Sequence, residues 1–190
     1  MLVTLLSILG VAAVLALWCI AVYNGLIRLR NMKEEAWSGI DVQLKRRCDL
    51  IPNLLAAVKG YMGHERSVLE QVTSLRAQSM SAQTIGAKIT AESALSRGLG
   101  ALFAVAESYP DLKANQNFLD LQNQLAQLEN EIQMARRYYN GTVRNQNVAI
   151  ETFPNAIVAS MFHFAKAEFF EIEDAADRVV PKVDFSDKHQ

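Results

Sequence analysis

The side chains most often used for catalysis and metal binding are few in this chain and far apart. Its three histidines, His64, His163 and His189, fall in separate regions, and its two cysteines are Cys19 and Cys48. His64–Glu65 matches the opening of the HExxH zinc-protease motif, whose histidines must sit four apart on one helix face to share the metal. Val68 occupies the second histidine position, so that site cannot form, and His64 reads as solvent-facing. A di-iron bundle needs Glu-x-x-His pairs on facing helices, and none occurs. Gly98-Leu99-Gly100 lacks the preceding strand and the third glycine of a phosphate loop. No nucleophile stands at helical spacing from a base. The sequence therefore predicts no catalytic, cofactor-binding or metal-ligating residues, and the chain reads as not an enzyme.

Two further classes are disfavoured. Two cysteines, one in an apolar segment and one in an amphipathic helix, make neither a disulfide framework nor a zinc spacing, and both read as small buried residues. The formal net charge of −1 argues against nucleic-acid binding by bulk electrostatics. Arg136, Arg137, Tyr138, Asn140, Arg144, Asn145 and Asn147 do crowd one stretch. Readers of single-stranded RNA present aromatics on sheets or loops beside a wider basic groove. The crowd is better read as an inter-helix polar network with one solvated face, and no nucleic-acid partner is expected. A basic membrane-proximal arm and an acidic C-terminal end are read as solvated surfaces that can also attract each other or other copies.

The elements that must carry these residues are all helices. Leu2 to Tyr23 contains no charge, and the first charged side chain is Arg28. A helix of that length is about 33 Å long, against roughly 30 Å of bilayer hydrocarbon. Trp18 and Tyr23 lie toward one end, where aromatics anchor at the lipid–water interface. No basic residue precedes the span, and bulky Trp18 stands before Cys19. The segment therefore reads as a retained anchor rather than a cleaved signal or lipoprotein leader. Arg28, Arg30 and Lys33 follow it directly, which places the C-terminal side in the cytoplasm by the positive-inside rule.

From Leu26 the pattern is amphipathic. Leu29, Met32, Ala36, Ile40, Leu44 and Cys48 recur at three-four spacing. Asp49 suits a helix N-cap with Pro52 in the first turn, so the sequence predicts a kink or break near Cys48–Asp49 and a second arm from Leu50 to Arg76. Ala77 to Thr90 reads as a loop with Thr90 as N-cap, and Ala91 to Ser108 as a helix ended by Pro110. Ala94, Gly98 and Ala101 form a small-residue stripe that admits a close backbone. Asn115 or a neighbour caps the longest helix, in which Phe118, Leu121, Leu125, Leu128, Ile132, Ala135 and Tyr139 form a coiled-coil-like seam. Asn155 to Phe170 is apolar and aromatic, too short to span a bilayer, and packs across the bundle or against membrane or a neighbouring subunit. The predicted fold is all-α: an anchor (1–25), an elongated antiparallel helical bundle with a kinked first helix (26–153), a short aromatic helix (154–170) and an acidic, extended tail (171–190).

Three stretches resemble one family. YNGLIRLRNMKEEAWSGIDVQLKRRCDLIPNLLAAVKGYMGHE, AVAESYPDLKANQNFLDLQNQL and LENEIQMARRYYNGTVRNQN occur in the order seen in the LemA family of bacterial membrane proteins. The resemblance covers roughly Tyr23 to Phe170. It implies a membrane helix followed by a helical bundle, located in the bacterial cytoplasmic membrane, and implies no reaction. The chain departs from the pattern at Ser160-Met161-Phe162-His163-Phe164, where a glycine before an aromatic is expected. Two functional readings follow. The first is a membrane-anchored scaffold acting by self-association, as a homo-oligomer with contacts at Gly98, Phe162, Phe164 and Phe169, and open to other membrane proteins. The alternative is a membrane-surface or membrane-remodelling protein whose aromatic segment touches lipid.

Overall fold

The computed structural model describes residues 1–63 and 65–171. Among these residues six helices follow in order: α1 (Leu2–Lys59), α2 (Arg66–Ser81), α3 (Ile85–Ala106), α4 (Pro110–Lys113), α5 (Gln116–Glu151) and α6 (Asn155–Met161). No strand occurs among the described residues. The His64 reading and the tail from residue 172 onward lie outside the described residues.

The first correction concerns α1. It is one continuous helix of 58 residues with Pro52 inside it, so no break occurs at Cys48–Asp49. Proline cannot donate to the carbonyl four residues back, which orphans the Cys48 carbonyl. Arg76 of α2 supplies the missing donor: its Nε gives a hydrogen bond to the Cys48 oxygen at 2.8 Å. Asp49 is exposed and caps nothing. The chain turns instead after Lys59, so the expected arm from Leu50 to Arg76 is divided between α1 and α2.

The second correction is at the α2–α3 connection. Helix α2 continues to Ser81, and Thr84 rather than Thr90 is the N-cap of α3, its Oγ1 accepting from the Ala87 N–H at 3.2 Å. Thr90 lies inside α3 and donates back to the Gly86 carbonyl. Pro110 opens the short α4; the preceding helix has already ended at Ala106. The expected cap of α5 is present: the Asn115 side chain accepts from the Phe118 N–H at 3.1 Å.

Helix α5 runs antiparallel along α1, because Asn115 meets Tyr61 at one end, Glu131 meets Arg46 in the middle, and Ala149 lies beside Gly25 at the other. The α2–α3 hairpin packs on the membrane-distal half of this pair. One apolar cluster there holds Ile51, Leu54, Val58, Val72, Leu95, Leu102 and Phe118. A second, toward the anchor, holds Ala36, Ile40, Leu44, Ile132, Tyr139, Val143 and Phe170. Between them lies a charged layer. Arg47 Nη1 is 3.2 Å from Glu129 and 3.6 Å from Glu92, and Arg47 Nη2 donates to Ser96 at 2.8 Å. Ser79 donates to Glu92 and lies 3.4 Å from the Cys48 sulfur. Glu92 is fully buried and Arg47 nearly so.

Gly98 belongs to this interior. A Cβ built there would lie 2.7 Å from Leu75 Cδ1 of α2 and 3.7 Å from Val72 Cγ2. Side chains of α2 in the same chain fill the space that the small-residue stripe leaves at Gly98.

Candidate membrane-facing site

The aromatic segment after Pro154 is not one helix through Phe170. Only Asn155–Met161 is helical, and residues 164–170 run extended along α5. The joint between the two is a Schellman-type helix end. The His163 N–H donates to the Ser160 carbonyl and the Phe164 N–H to the Ala159 carbonyl, with His163 at φ 56°. That left-handed conformation is one glycine adopts without steric cost. It falls where the sequence departs from the family pattern by having His163 before Phe164.

The extended strap is held through its backbone. Asn147 donates to the Ala167 carbonyl at 3.0 Å and accepts from the Ala167 N–H at 2.9 Å. Asn140 does the same for Phe170, at 3.1 and 2.8 Å. Tyr139 donates to the Glu168 carbonyl at 3.0 Å and Gln146 to the Ala165 carbonyl at 3.4 Å. Two primary amides thus complete the pairing that a strand neighbour would give, because a buried backbone group without a partner is costly. The polar network expected in α5 is present, and its partner is a strap rather than another helix. Phe170 then closes the second core. It is buried against Trp37, with ring centroids 6.0 Å apart, and the Arg136 guanidinium stands 4.6 Å from its centroid.

Helix α6 goes the other way, toward the anchor. In the apolar span everything from Met1 to Leu17 is exposed, whereas Trp18, Cys19, Val22 and Tyr23 are partly covered. Phe162 packs on Tyr23 with ring centroids 4.7 Å apart, and Phe164 on the same ring at 5.9 Å. Arg30 stands 6.0 Å from the Phe164 ring. Helix α6 packs on α1, and Phe162 directly after it stacks on Tyr23, the last residue of the apolar span. Its free side is apolar: Phe153, Ile157, Met161 and Phe162 are all exposed. From Thr152 to Ala165 there is no Lys, Arg, Asp or Glu. Among the described residues this is the surface best suited to bilayer hydrocarbon outside the anchor itself.

Of the four sequence-predicted contact residues, Phe162 and Phe164 come together on Tyr23. Phe169 lies apart, exposed at the edge of a groove shared with Gly86 and Thr90 of α3, and Gly98 is in the interior. Asn140 and Asn147 were seen in the sequence only as part of a crowd. Their spacing of seven puts both on one helix face, and that was the available signal. Among the described residues no group of His, Cys, Asp and Glu is arranged to hold a metal ion.

One helix long and apolar enough to cross a membrane, with a helical bundle folded back onto its end, defines a membrane-associated α-helical protein. Residues 36–185 match the LemA family, and the chain belongs to that family. It is similar to magnetosome protein MamQ 1 and magnetosome protein MamQ 2 of Paramagnetospirillum magneticum. Each is 23% identical over 198 residues, covering 90% of this chain and 72% of the relative. It is also similar to protein LemA of Metamycoplasma hominis, 27% identical over 152 residues, covering 80% of this chain and 69% of the relative.

Proposed function

We propose that this chain is a membrane-surface protein whose bundle is fixed to the bilayer at two points, the spanning helix and the shallow, uncharged α6. The observation that carries this reading is the docking of α6 on the last part of the span, with Phe153, Ile157 and Met161 turned outward. A tether alone would leave α1, about 87 Å long at roughly 1.5 Å per residue, free to tilt at its base. The second contact holds the bundle upright and adds apolar volume to one leaflet near the headgroups, as an interfacial helix does. Arg28, Arg30 and Lys33 argue that this leaflet, and the bundle, are on the cytoplasmic side.

A scaffold acting by self-association is the competing reading. Two of the surfaces that favoured it are taken up at least in part within the chain: Gly98 is covered by α2, and Phe164 and one side of Phe162 pack on Tyr23. The outward row on α6 remains available to a second copy. One experiment separates the readings. Cys19 and Cys48 are replaced, Ile157→Cys is labelled with an environment-sensitive dye, and the full chain is placed in nanodiscs containing lipids nitroxide-labelled near the headgroup. Quenching by the lipid nitroxide is expected. A label shielded from both nitroxide and aqueous iodide, in a particle of dimer mass or larger, would favour self-association. Quenching by iodide alone would refute the proposal.

A further inference from the structure

A groove of about 580 Å3 opens between α1 and the α5–α6 turn. Its floor is one face of α1, where Val22, Gly25, Leu29 and Met32 lie at three-four spacing, and Asn155 forms part of the far wall. The volume is within the roughly 300–1,000 Å3 of small-molecule sites. Gly25 makes the depth: a Cβ built there meets nothing within 4 Å. Arg28 is at the rim, exposed, and no ion pair involves it among the described residues.

We infer that this groove binds a membrane phospholipid, an acyl chain against Ala21, Val22 and Gly25 and the phosphate at Arg28. The inference rests on the two-point membrane reading above. Position argues for the occupant. The groove begins inside the apolar span at Ala21 and Val22, so its upper end faces hydrocarbon, where only an apolar chain can fill it without exposing polar groups. Arg28 is five residues beyond Tyr23, about 7.5 Å along the axis. The headgroup layer extends roughly 5–8 Å beyond the hydrocarbon on each side, which brings the guanidinium to the level of the phosphates. A guanidinium suits a phosphate because its donors can bind two oxygens at once. The groove is open to the side, so a lipid enters it from the leaflet without leaving the bilayer.

The test uses the full chain in nanodiscs doped with phosphatidylglycerol or phosphatidylcholine bearing a photoactivatable diazirine in the acyl chain, with adducts mapped by mass spectrometry. Adducts are expected on the peptide containing Val22 to Met32 as well as on α6, and Gly25→Leu should cut the former several-fold. Gly25→Leu has room to fold, since nothing stands above that Cα. Arg28→Gln should lower the preference for phosphatidylglycerol over phosphatidylcholine about fivefold, the value of one basic residue at an anionic surface. If α6 is labelled but the groove peptide is indifferent to Gly25→Leu, the groove is not a lipid site and the two-point reading survives. If neither α6 nor the groove is labelled while the span is, both ideas fall.

Discussion

Pro52 and Arg76 should be thermodynamically coupled although they lie on different helices. Proline in a helix interior costs about 3 kcal/mol relative to alanine, through a lost hydrogen bond and a clash with the carbonyl four residues back. Here that carbonyl is Cys48, and Arg76 Nε already satisfies it at 2.8 Å. The Cys48 side chain is buried, with 2% of its surface exposed. Arg76→Met in the native background leaves the carbonyl without its donor and should cost about 1–3 kcal/mol. Pro52→Ala alone restores the intrahelical donor and should stabilise by about 1–3 kcal/mol, less than the full proline penalty because Arg76 has already made up part of it. In the Pro52→Ala background the carbonyl has its helical N–H, so Arg76→Met should cost less than about 1 kcal/mol. The coupling from the double-mutant cycle should then be about 1–2 kcal/mol. For a chain of this size that is roughly 2–8 °C in Tm, measurable by the intrinsic fluorescence of half-buried Trp37 during heating of the full chain in detergent. A coupling within error of zero would mean that Arg76 is not the replacement donor. A destabilising Pro52→Ala would mean that a break near Asp49 is stabilising after all.

Four further outcomes follow from the same geometry. Asn140→Ala removes both backbone bonds to Phe170 and should cost about 1–3 kcal/mol, with amide exchange rising through residues 165–170 and little changed in α2. Gly98→Ala should be nearly neutral, because gained helix propensity offsets a contact with the flexible end of Leu75; Gly98→Leu should destabilise the monomer by about 1–3 kcal/mol by overpacking, seen as a lower Tm at constant particle mass. His163→Gly should stabilise by about 1 kcal/mol, since φ 56° is left-handed, and a drop in Tm would contradict the Schellman-type assignment. Burial holds the Cys48 thiol above its ordinary 9.0 and the Tyr139 phenol above its ordinary 10.0. Both groups are neutral when protonated, so their contribution is fully present below those values and is lost as pH rises through and beyond them; unfolding midpoints should fall above pH 9, and the combined Cys48→Ala, Tyr139→Phe variant should fall less steeply.

What could be read from the sequence was whatever is encoded locally. The apolar span, the three-four seam of α5 and the Asn115 cap are patterns within one segment, and each is present as expected. The Cys48–Asp49 break failed because Asp-x-x-Pro is a sound local start signal that a residue 28 positions away overrules. The extended strap was missed for a related reason. Phe and Ala in a short run suit a helix and a buried extended segment equally, and the deciding partners, Asn140 and Asn147, are two turns apart on another element. The small-residue stripe marks Gly98 as a place of close approach, but the neighbours there are the Leu75 and Val72 side chains rather than a backbone. The two phenylalanines on Tyr23 were singled out for their exposure as a cluster, and the anchor helix, treated as solvated only by lipid, was not weighed as their partner.

The charged layer connects the core to the membrane contact. Burying Arg47, Glu92 and Arg136 is poor as a source of stability, since desolvation offsets much of the attraction, and the Nε, Nη1 and Nη2 atoms of Arg136 find no hydrogen-bond acceptor. Its value lies in register. The α5 seam repeats at three-four spacing with no slip from Phe118 to Tyr139, so apolar packing alone would tolerate a slide of α5 by one heptad along α1. The ion pair at 3.2 Å between Arg47 and Glu129 forbids it. Seven residues one way sets Arg47 beside Arg136, two like charges in the interior; seven the other way sets it beside Gln122. Such a slide moves α5 about 10 Å along α1 and carries α6 with it, off the depth that the proposed lipid contact requires. On the proposed reading a shallow helix must sit at one depth, and a mid-bundle charge pair built on buried Arg47 and half-exposed Glu129 fixes this distance in a way that a uniform apolar seam cannot.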